Sequence, residues 1–436
     1  MIRAFFAAAL AVVAALPAHA VDIREVTSPG GIRAWLVEEH SIPFTALELR
    51  FEGGASLDAP GKRGATMLMM ALLEEGTGDL DSQGFAAARE RLAADFSFDA
   101  FDDGVTVSAR MLSENRPEAV ALLKRALTDP RFDQDAIDRV KGQVASIIRS
   151  DEKDPGEIAR RAFDKFAFGD HPYGSSRNGT LESVAALTRD DLFAAKAAAM
   201  ARDRLFVSAV GDITEAELGA LLDDLLGGLP ETGAPMPEPA DMALTGGITV
   251  IDYASPQSVV SFGHAGIKRD DPDFFAAYVL NQILGGPGFA ARLMDEVREK
   301  RGLTYGISTY LVPMDLAETW QGSFASANEK VAEAIQVVRD VWAEVAAEGV
   351  TAEELEAAKT YLTGSYPLRF DGNGPIADIL VGMQSERLPA SYVNDRNSYI
   401  EAVTLDDIRR VAARLMKPED LRFVVVGRPV GLTVQN

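Results

Sequence analysis

Few side chains here combine the type and spacing that catalysis needs. There is no cysteine, and the four histidines, His19, His40, His171 and His264, are never three or four residues apart. Two metal ligands on one helix must sit about one turn apart to share a face, so no histidine pair and no thiolate set is available for zinc. Glu74 and Glu75 follow an apolar run, MLMM at 67–70, with no histidine at ligand spacing. The turn Gly285-Gly286-Pro287-Gly288 has little side-chain bulk, which lets an extended peptide or another backbone approach closely. It is a poor phosphate cradle, because no Lys-Ser/Thr follows it. Arg298 and Tyr305 remain, seven residues apart in REKRGLTY. On composition alone they read as part of a solvated charge run, EVREKR, and as a half-buried strand aromatic.

These residues need a scaffold, and the chain supplies a large one. Its first 20 residues, MIRAFFAAALAVVAALPAHA, place one Arg, a short apolar run and Ala18-His19-Ala20 in the order of a secretory leader. The apolar stretch falls short of the roughly 20 residues that span a bilayer. A signal peptide over 1–20 predicts an exported chain, periplasmic in a two-membrane bacterium, and no membrane span is expected after it. Acids outnumber bases 66 to 43, for a formal charge of −23. Nucleic acid, which needs clustered Lys and Arg, is therefore not an expected partner.

The stretch GGLPETGAPMPEPADMALTGG at 227–247 carries four prolines, which disfavour helix and sheet alike. It divides the chain into an N-terminal domain at 21–228, a linker at 229–247 and a C-terminal domain at 248–436. Residues 187–211, LTRDDLFAAKAAAMARDRLFVSAVG, align without gaps on 403–427, VTLDDIRRVAARLMKPEDLRFVVVG, with eight of 25 positions identical. Each copy reads as a Thr N-cap with Asp three residues on, an Ala-rich helix, and an apolar β-branched strand ended by Gly. Val331, Ile335, Val338, Trp342 and Val345 form one stripe of a helix lying on a sheet. The expected fold is α+β: two duplicated domains, each a mainly antiparallel sheet covered by helices.

Two stretches, EEHSIPFTALELRFEGGASLDAPGKRGATMLMMALLEEGT and NQILGGPGFAARLMDEVREKRGLTYGIS, resemble the pitrilysin/insulinase family of zinc metallopeptidases. That family includes the mitochondrial processing peptidase and bacterial two-subunit relatives. The likeness continues through HPYGSSRNGT at 171–180 and VGDITEAEL at 210–218, so it covers nearly everything after the leader. In the family, H-x-x-E-H on the first helix binds zinc through its histidines, and its Glu is general base. The resemblance places the two ligands at Met67 and Ala71 and the base at Met70. A third ligand, a Glu on a later helix, falls on Ser146 or Ile147. None of these side chains can do the work, and Asp151 and Glu152 lie at least a turn beyond. MLMM therefore reads as a former ligand helix turned to packing, a use to which methionine is suited.

The C-terminal half keeps what the N-terminal half lacks. The family pairs an Arg that holds substrate carbonyls with a Tyr whose hydroxyl donates to the oxyanion, and Arg298 and Tyr305 match that pair. Arg292 and Leu293 match as well, downstream of Gly285, Gly286 and Gly288 as the substrate loop. The resemblance implies a subunit that binds no cofactor itself. Zinc would be held by a separate H-x-x-E-H chain of the same family, a heterodimer partner, and peptides would be the substrates. The alternative is a catalytically inactive scaffold subunit of a larger complex, and a third reading has the chain hydrolyse peptides unaided.

Overall fold

The computed structural model of the chain describes residues 22–288 and 290–432. The leader-like residues 1–20 lie outside the described residues. Two sheets organise the rest. The first joins β1 (Arg24–Thr27), β2 (Arg33–Glu38), β3 (Phe44–Glu52), β4 (Asp95–Ala100), β5 (Gly104–Leu112) and β6 (Leu205–Gly211) in the order β1-β2-β6-β3-β5-β4. The second joins β7 (Gly247–Asp252), β8 (Gln257–Ala265), β9 (Ile307–Pro313), β10 (Glu318–Ala327) and β11 (Arg422–Gly427) in the order β9-β10-β8-β11-β7.

Apart from the added β1, the two orders are the same. In each sheet one parallel pair, β2 with β6 or β7 with β11, meets an otherwise antiparallel ladder. The aligned glycines Gly211 and Gly427 end the equivalent strands β6 and β11, and the aligned Thr188 and Thr404 both cap their helices in reciprocal boxes with Asp191 and Asp407. The duplication read in the sequence is thus present in topology as well as in local chemistry.

Each sheet is covered on both faces, and the second cover comes from the opposite half. In β3, Leu47, Leu49 and Phe51 enter the N-terminal core, while Ala46 points to the other face. That face is roofed by the helix Asn373–Ser385 of the C-terminal half, through Ala377, Leu380 and Met383. Reciprocally, Phe423 and Val425 of β11 enter the C-terminal core, while Val424 and Val426 meet Ala159, Phe163 and Ala167 of the helix Pro155–Phe168. This explains the unbroken apolar run FVVV, since a strand buried on both faces has no reason to alternate. The Ser208 hydroxyl donates to the Ala377 carbonyl at 2.6 Å, and the Gln384 amide to the Val207 carbonyl at 2.8 Å, fixing the crossed helix on its sheet.

The crossing buries charge. Glu48 of β3 lies beneath the crossed helix and accepts from the Ser108 hydroxyl at 2.5 Å. Burial pushes its carboxyl up to about 7. Residues 230–246 form neither helix nor strand, yet they are not a loose tether. Ala240, Met242 and Leu244 pack on the Pro155–Phe168 helix cluster, and the backbone N–H of Ala240 donates to the Leu316 carbonyl at 2.9 Å.

Candidate functional site

The helix Ala65–Leu72 bears the positions that the resemblance assigns to two zinc ligands and the base. Gly64 enters it with φ +99°, and a Cβ there would come within 2.8 Å of the Asn178 carbonyl oxygen, so a side chain is excluded on two counts. The helix start is held by Asp58, which accepts from the Gly64 and Thr66 amides at 2.8 and 2.9 Å and from the Thr66 hydroxyl at 2.7 Å. The carboxylate offsets unpaired N–H groups at the positive end of the helix. It lies seven residues before the first helical residue, outside the usual capping position, so the sequence carried no signal for it.

Met70 is 1% exposed, and Met67 and Ala71 pack half-buried on the same core. The helix Gln134–Asp151 packs against this one and carries the fifth and fourth positions. Ile147 is 50% exposed, and the Ser146 hydroxyl donates back to the Gly142 carbonyl at 2.9 Å. Zinc does not fit this set: a methyl, an aliphatic chain and thioethers offer no ligand group suited to a hydrolytic zinc ion. The acids nearby are engaged elsewhere, Glu74 with Arg89 at 2.8 Å and Glu75 with Arg139 at 2.5 Å. Among the described residues no three His, Asp or Glu side chains are grouped to hold a metal.

The three histidines among the described residues are accounted for. His264 is 2% exposed; its Nδ1 lies 2.7 Å from the Ala265 carbonyl and its Nε2 accepts from the Trp342 indole at 3.0 Å. Those partners require a proton on Nδ1 and a neutral ring, and burial lowers its pKa. His171 caps the short turn Pro172–Gly174. His40 is exposed and lies 2.8 Å from Asp212, whose hydrogen bond raises its pKa.

The Arg298–Tyr305 segment is built differently. Asn281, buried on the helix Phe274–Gly285, accepts from Thr309 of β9 at 2.9 Å and from the Trp320 indole of β10 at 2.8 Å, locking that helix to the sheet. The helix ends at Gly285, where a Cβ would come within 2.4 Å of the Thr309 hydroxyl, and one on Gly286 would strike the Gln282 side chain. These two glycines make room for this chain's own strand and helix. Gly288, with φ +108° and open space around it, is the one of the three that faces outward.

Arg298 sits on a π-helical turn, Met294–Glu299, anchored from just upstream by Arg292, which pairs with Glu354 at 2.5 Å. Its guanidinium is 31% exposed and lies 3.5 Å from Glu299. The following loop is tied to β10 and to the helix behind it. The Ser326 hydroxyl donates to the Leu303 carbonyl at 2.6 Å, the Thr304 hydroxyl to the Ala325 carbonyl at 2.6 Å, and the Lys330 ammonium to the Gly302 carbonyl at 3.0 Å. Tyr305 stands between the pinned Thr304 and Gly306 with its ring 87% exposed. The reading of Tyr305 as a half-buried strand aromatic is therefore wrong: it precedes β9 and turns outward. Thr304 was the residue missed, and its signal was a hydroxyl two residues before a glycine, a local backbone-bonding pattern.

Arg298 and Tyr305 line one open cleft of about 440 Å³, walled by Ala325–Ala327. A second cleft, lined by Gly286, Pro287, Gly288 and Ile307, adjoins it and shares Ala325. Beside both runs β9, the edge of its sheet, whose outer backbone can pair with an extended peptide. Ile147 lines a separate cleft with Asp151 and Asp164.

Residues 33–181 match the family model described as insulinase (peptidase family M16), and residues 186–362 that described as the peptidase M16 inactive domain. The crystal structure of a peptidase M16 inactive domain from Pseudomonas fluorescens is similar at 30% identity with a TM-score of 0.88, covering 95% of this chain and 100% of that one. A non-peptidase homolog from Helicobacter pylori is 27% identical over 89% of this chain and 90% of its own length. An uncharacterized zinc protease from Streptomyces coelicolor is also 27% identical, over 89% of this chain and 86% of its own. Relatives named as zinc protease and as non-peptidase are equally identical to this chain, so overall likeness does not decide activity.

Proposed function

Because the chain belongs to the insulinase family of peptidases, M16, we propose that it is the metal-free subunit of an exported heterodimeric peptidase. A partner chain with an intact H-x-x-E-H helix supplies zinc and base. This chain closes the chamber and presents Arg298 to the carbonyls of an extended peptide and Tyr305 to the developing oxyanion. The observation that carries the reading is the contrast between two surfaces. Met67, Met70 and Ala71 have no ligating group and pack on the core, whereas Tyr305 is 87% exposed on a loop pinned by three side-chain hydrogen bonds. Preorganised donors aimed at developing charge need just such fixed backbone. The leader pattern at 1–20 supports placement in the periplasm, and the edge strand β9 supports an extended substrate.

The test pairs this chain with the H-x-x-E-H protein of the same cell and follows zinc content and cleavage of an unstructured peptide. The isolated chain should lack stoichiometric zinc and cleave poorly, and the mixture should cleave well. Arg298→Ala in the mixture should lower the rate by about 10². Stoichiometric zinc with robust cleavage by this chain alone refutes the proposal. A stable complex whose rate ignores Arg298→Ala identifies a scaffold subunit instead.

A further inference from the structure

A cleft of about 390 Å³ lies where the two halves meet, and its chemistry runs against the rest of the molecule. In a chain with 66 acids and 43 bases, it gathers Arg50, Arg269, Arg369 and Arg396 around only two acids, Asp378 and Glu386. Arg50 comes from β3 of the N-terminal sheet, and the other three come from the C-terminal half.

Two of the four arginines are held by the protein itself. Arg396, 5% exposed, donates to the Leu362 carbonyl at 2.7 Å and lies 4.4 Å over the Tyr366 ring. Arg269 donates to the Tyr392 hydroxyl at 3.0 Å and stacks on Phe274 at 4.3 Å. The other two are not held in this way. Arg50 has its Nε buried without an acceptor and, like Arg369, makes no ion pair within 4 Å among the described residues, although Arg50 lies near enough to Asp315, Glu52 and Glu386 to draw their carboxyls downward. A buried donor left unpaired costs about 1–3 kcal/mol, so an anion that reaches Arg50 relieves that cost, in competition with the acids already beside it.

The remaining wall is aromatic. Phe275, Tyr278 and Tyr392 present half-buried rings, whereas Phe274 is 8% exposed with the Arg269 guanidinium on its face. Ring faces with guanidinium edges beside them favour a flat ligand that carries negative charge at one end. The volume lies within the range of small-molecule sites. This cleft shares no lining residue with that of Arg298 and Tyr305.

We propose that this cleft binds a small planar aromatic anion. The ring packs against the half-buried Tyr278 and Tyr392 rings, and the carboxylate or phosphate pairs with Arg50 and Arg369. Since the two arginines belong to different halves, the bound ligand bridges them.

Calorimetric titration of the full chain tests this with four probes: 1-naphthylacetate, 1-naphthyl phosphate, the neutral 1-naphthaleneethanol, and inorganic phosphate. At least one naphthyl anion should bind saturably, and both the neutral ring and the bare anion should bind at least about tenfold more weakly, the factor expected for one charged hydrogen bond. Which naphthyl anion binds tells carboxylate from phosphate. Arg369→Gln, at an exposed position that leaves folding intact, should weaken binding about tenfold. Arg50→Gln should weaken it further, with Arg50→Lys recovering part of the loss, and circular dichroism verifies the fold of each. Failure of both naphthyl anions to saturate, equal affinity for the neutral ring, or binding indifferent to both arginine substitutions overturns the proposal.

Discussion

Replacing Tyr305 with Phe separates catalysis from folding more cleanly than any other change in this chain. The ring is 87% exposed, and the loop is held by Thr304, Ser326 and Lys330 rather than by the ring itself. Removing the hydroxyl should therefore shift stability by less than about 0.5 kcal/mol. In the assembled peptidase the same hydroxyl would donate to the oxyanion, an interaction whose loss costs about 10²–10³ in rate, or about 2.7–4 kcal/mol. The predicted effect on the barrier is thus several times the effect on folding.

The assay is single-turnover cleavage at saturating peptide with the H-x-x-E-H subunit in excess, so that assembly does not limit the rate. A donor used only in the transition state should lower the chemical rate while leaving substrate affinity nearly untouched. Thermal melting of the isolated variant should superimpose on that of the parent chain. A cleavage rate within twofold of the parent, a loss confined to affinity, or a melting shift of several degrees would each refute the assignment of Tyr305 to the oxyanion.

Three further expectations concern the scaffold. Leu380→Ala, on the crossed helix and 0% exposed, should cost about 2–5 kcal/mol and lower a single calorimetric transition for both halves; two separating transitions would show that the crossing does not couple them. Glu48→Gln keeps an acceptor for Ser108 and removes a carboxyl that burial raises to about 7. Because the unfolded carboxyl ionises first, near the ordinary 4.5, the penalty grows as pH rises from there. The variant should gain on the order of 2 kcal/mol at pH 8 and lose that advantage below the unfolded pKa, which urea titrations at several pH values would measure. His264 has the opposite sign: burial lowers its pKa from 6.5, so the unfolded chain takes up the proton first as pH falls and stability drops below that point. Trp342→Phe, which leaves the His264 Nε2 without its donor, should cost about 1–3 kcal/mol at neutral pH by the same titrations.

Local chemistry was legible in the sequence, and long-range pairing was not. The stripe Val331, Ile335, Val338, Trp342 and Val345 is buried along a helix running from Val331 to Glu348, because helical periodicity is a property of neighbours. Thr188 and Thr404 cap as their Asp partners require. FVVV in β11 tells that both faces are covered but not that one cover is a helix more than 250 residues upstream. The alternation LELRFE marks two faces of the strand around Glu48, but nothing local tells that a helix from the other half buries the polar one. Composition alone did not show the exposure of Tyr305, for a related reason. Aromatic residues near strands are usually packed, and the ties that turn this one outward come from Ser326 and Lys330, which are distant in sequence.

Folding pressure alone explains one half of the proposed division of labour and fails for the other. Methionine and alanine at 67, 70 and 71 fill a core that closes around them, so a helix relieved of zinc gains ordinary packing and needs no further reason for its residues. An aromatic ring held 87% in water gains no such burial, since apolar surface left exposed contributes nothing to the hydrophobic term. Three side-chain hydrogen bonds nevertheless fix the segment Gly302–Thr304 that leads into it. Rigid presentation of an unburied donor is understandable if the group meets a partner or substrate outside this chain, which is why the Tyr305 experiment must be run in the complex and its stability control in isolation.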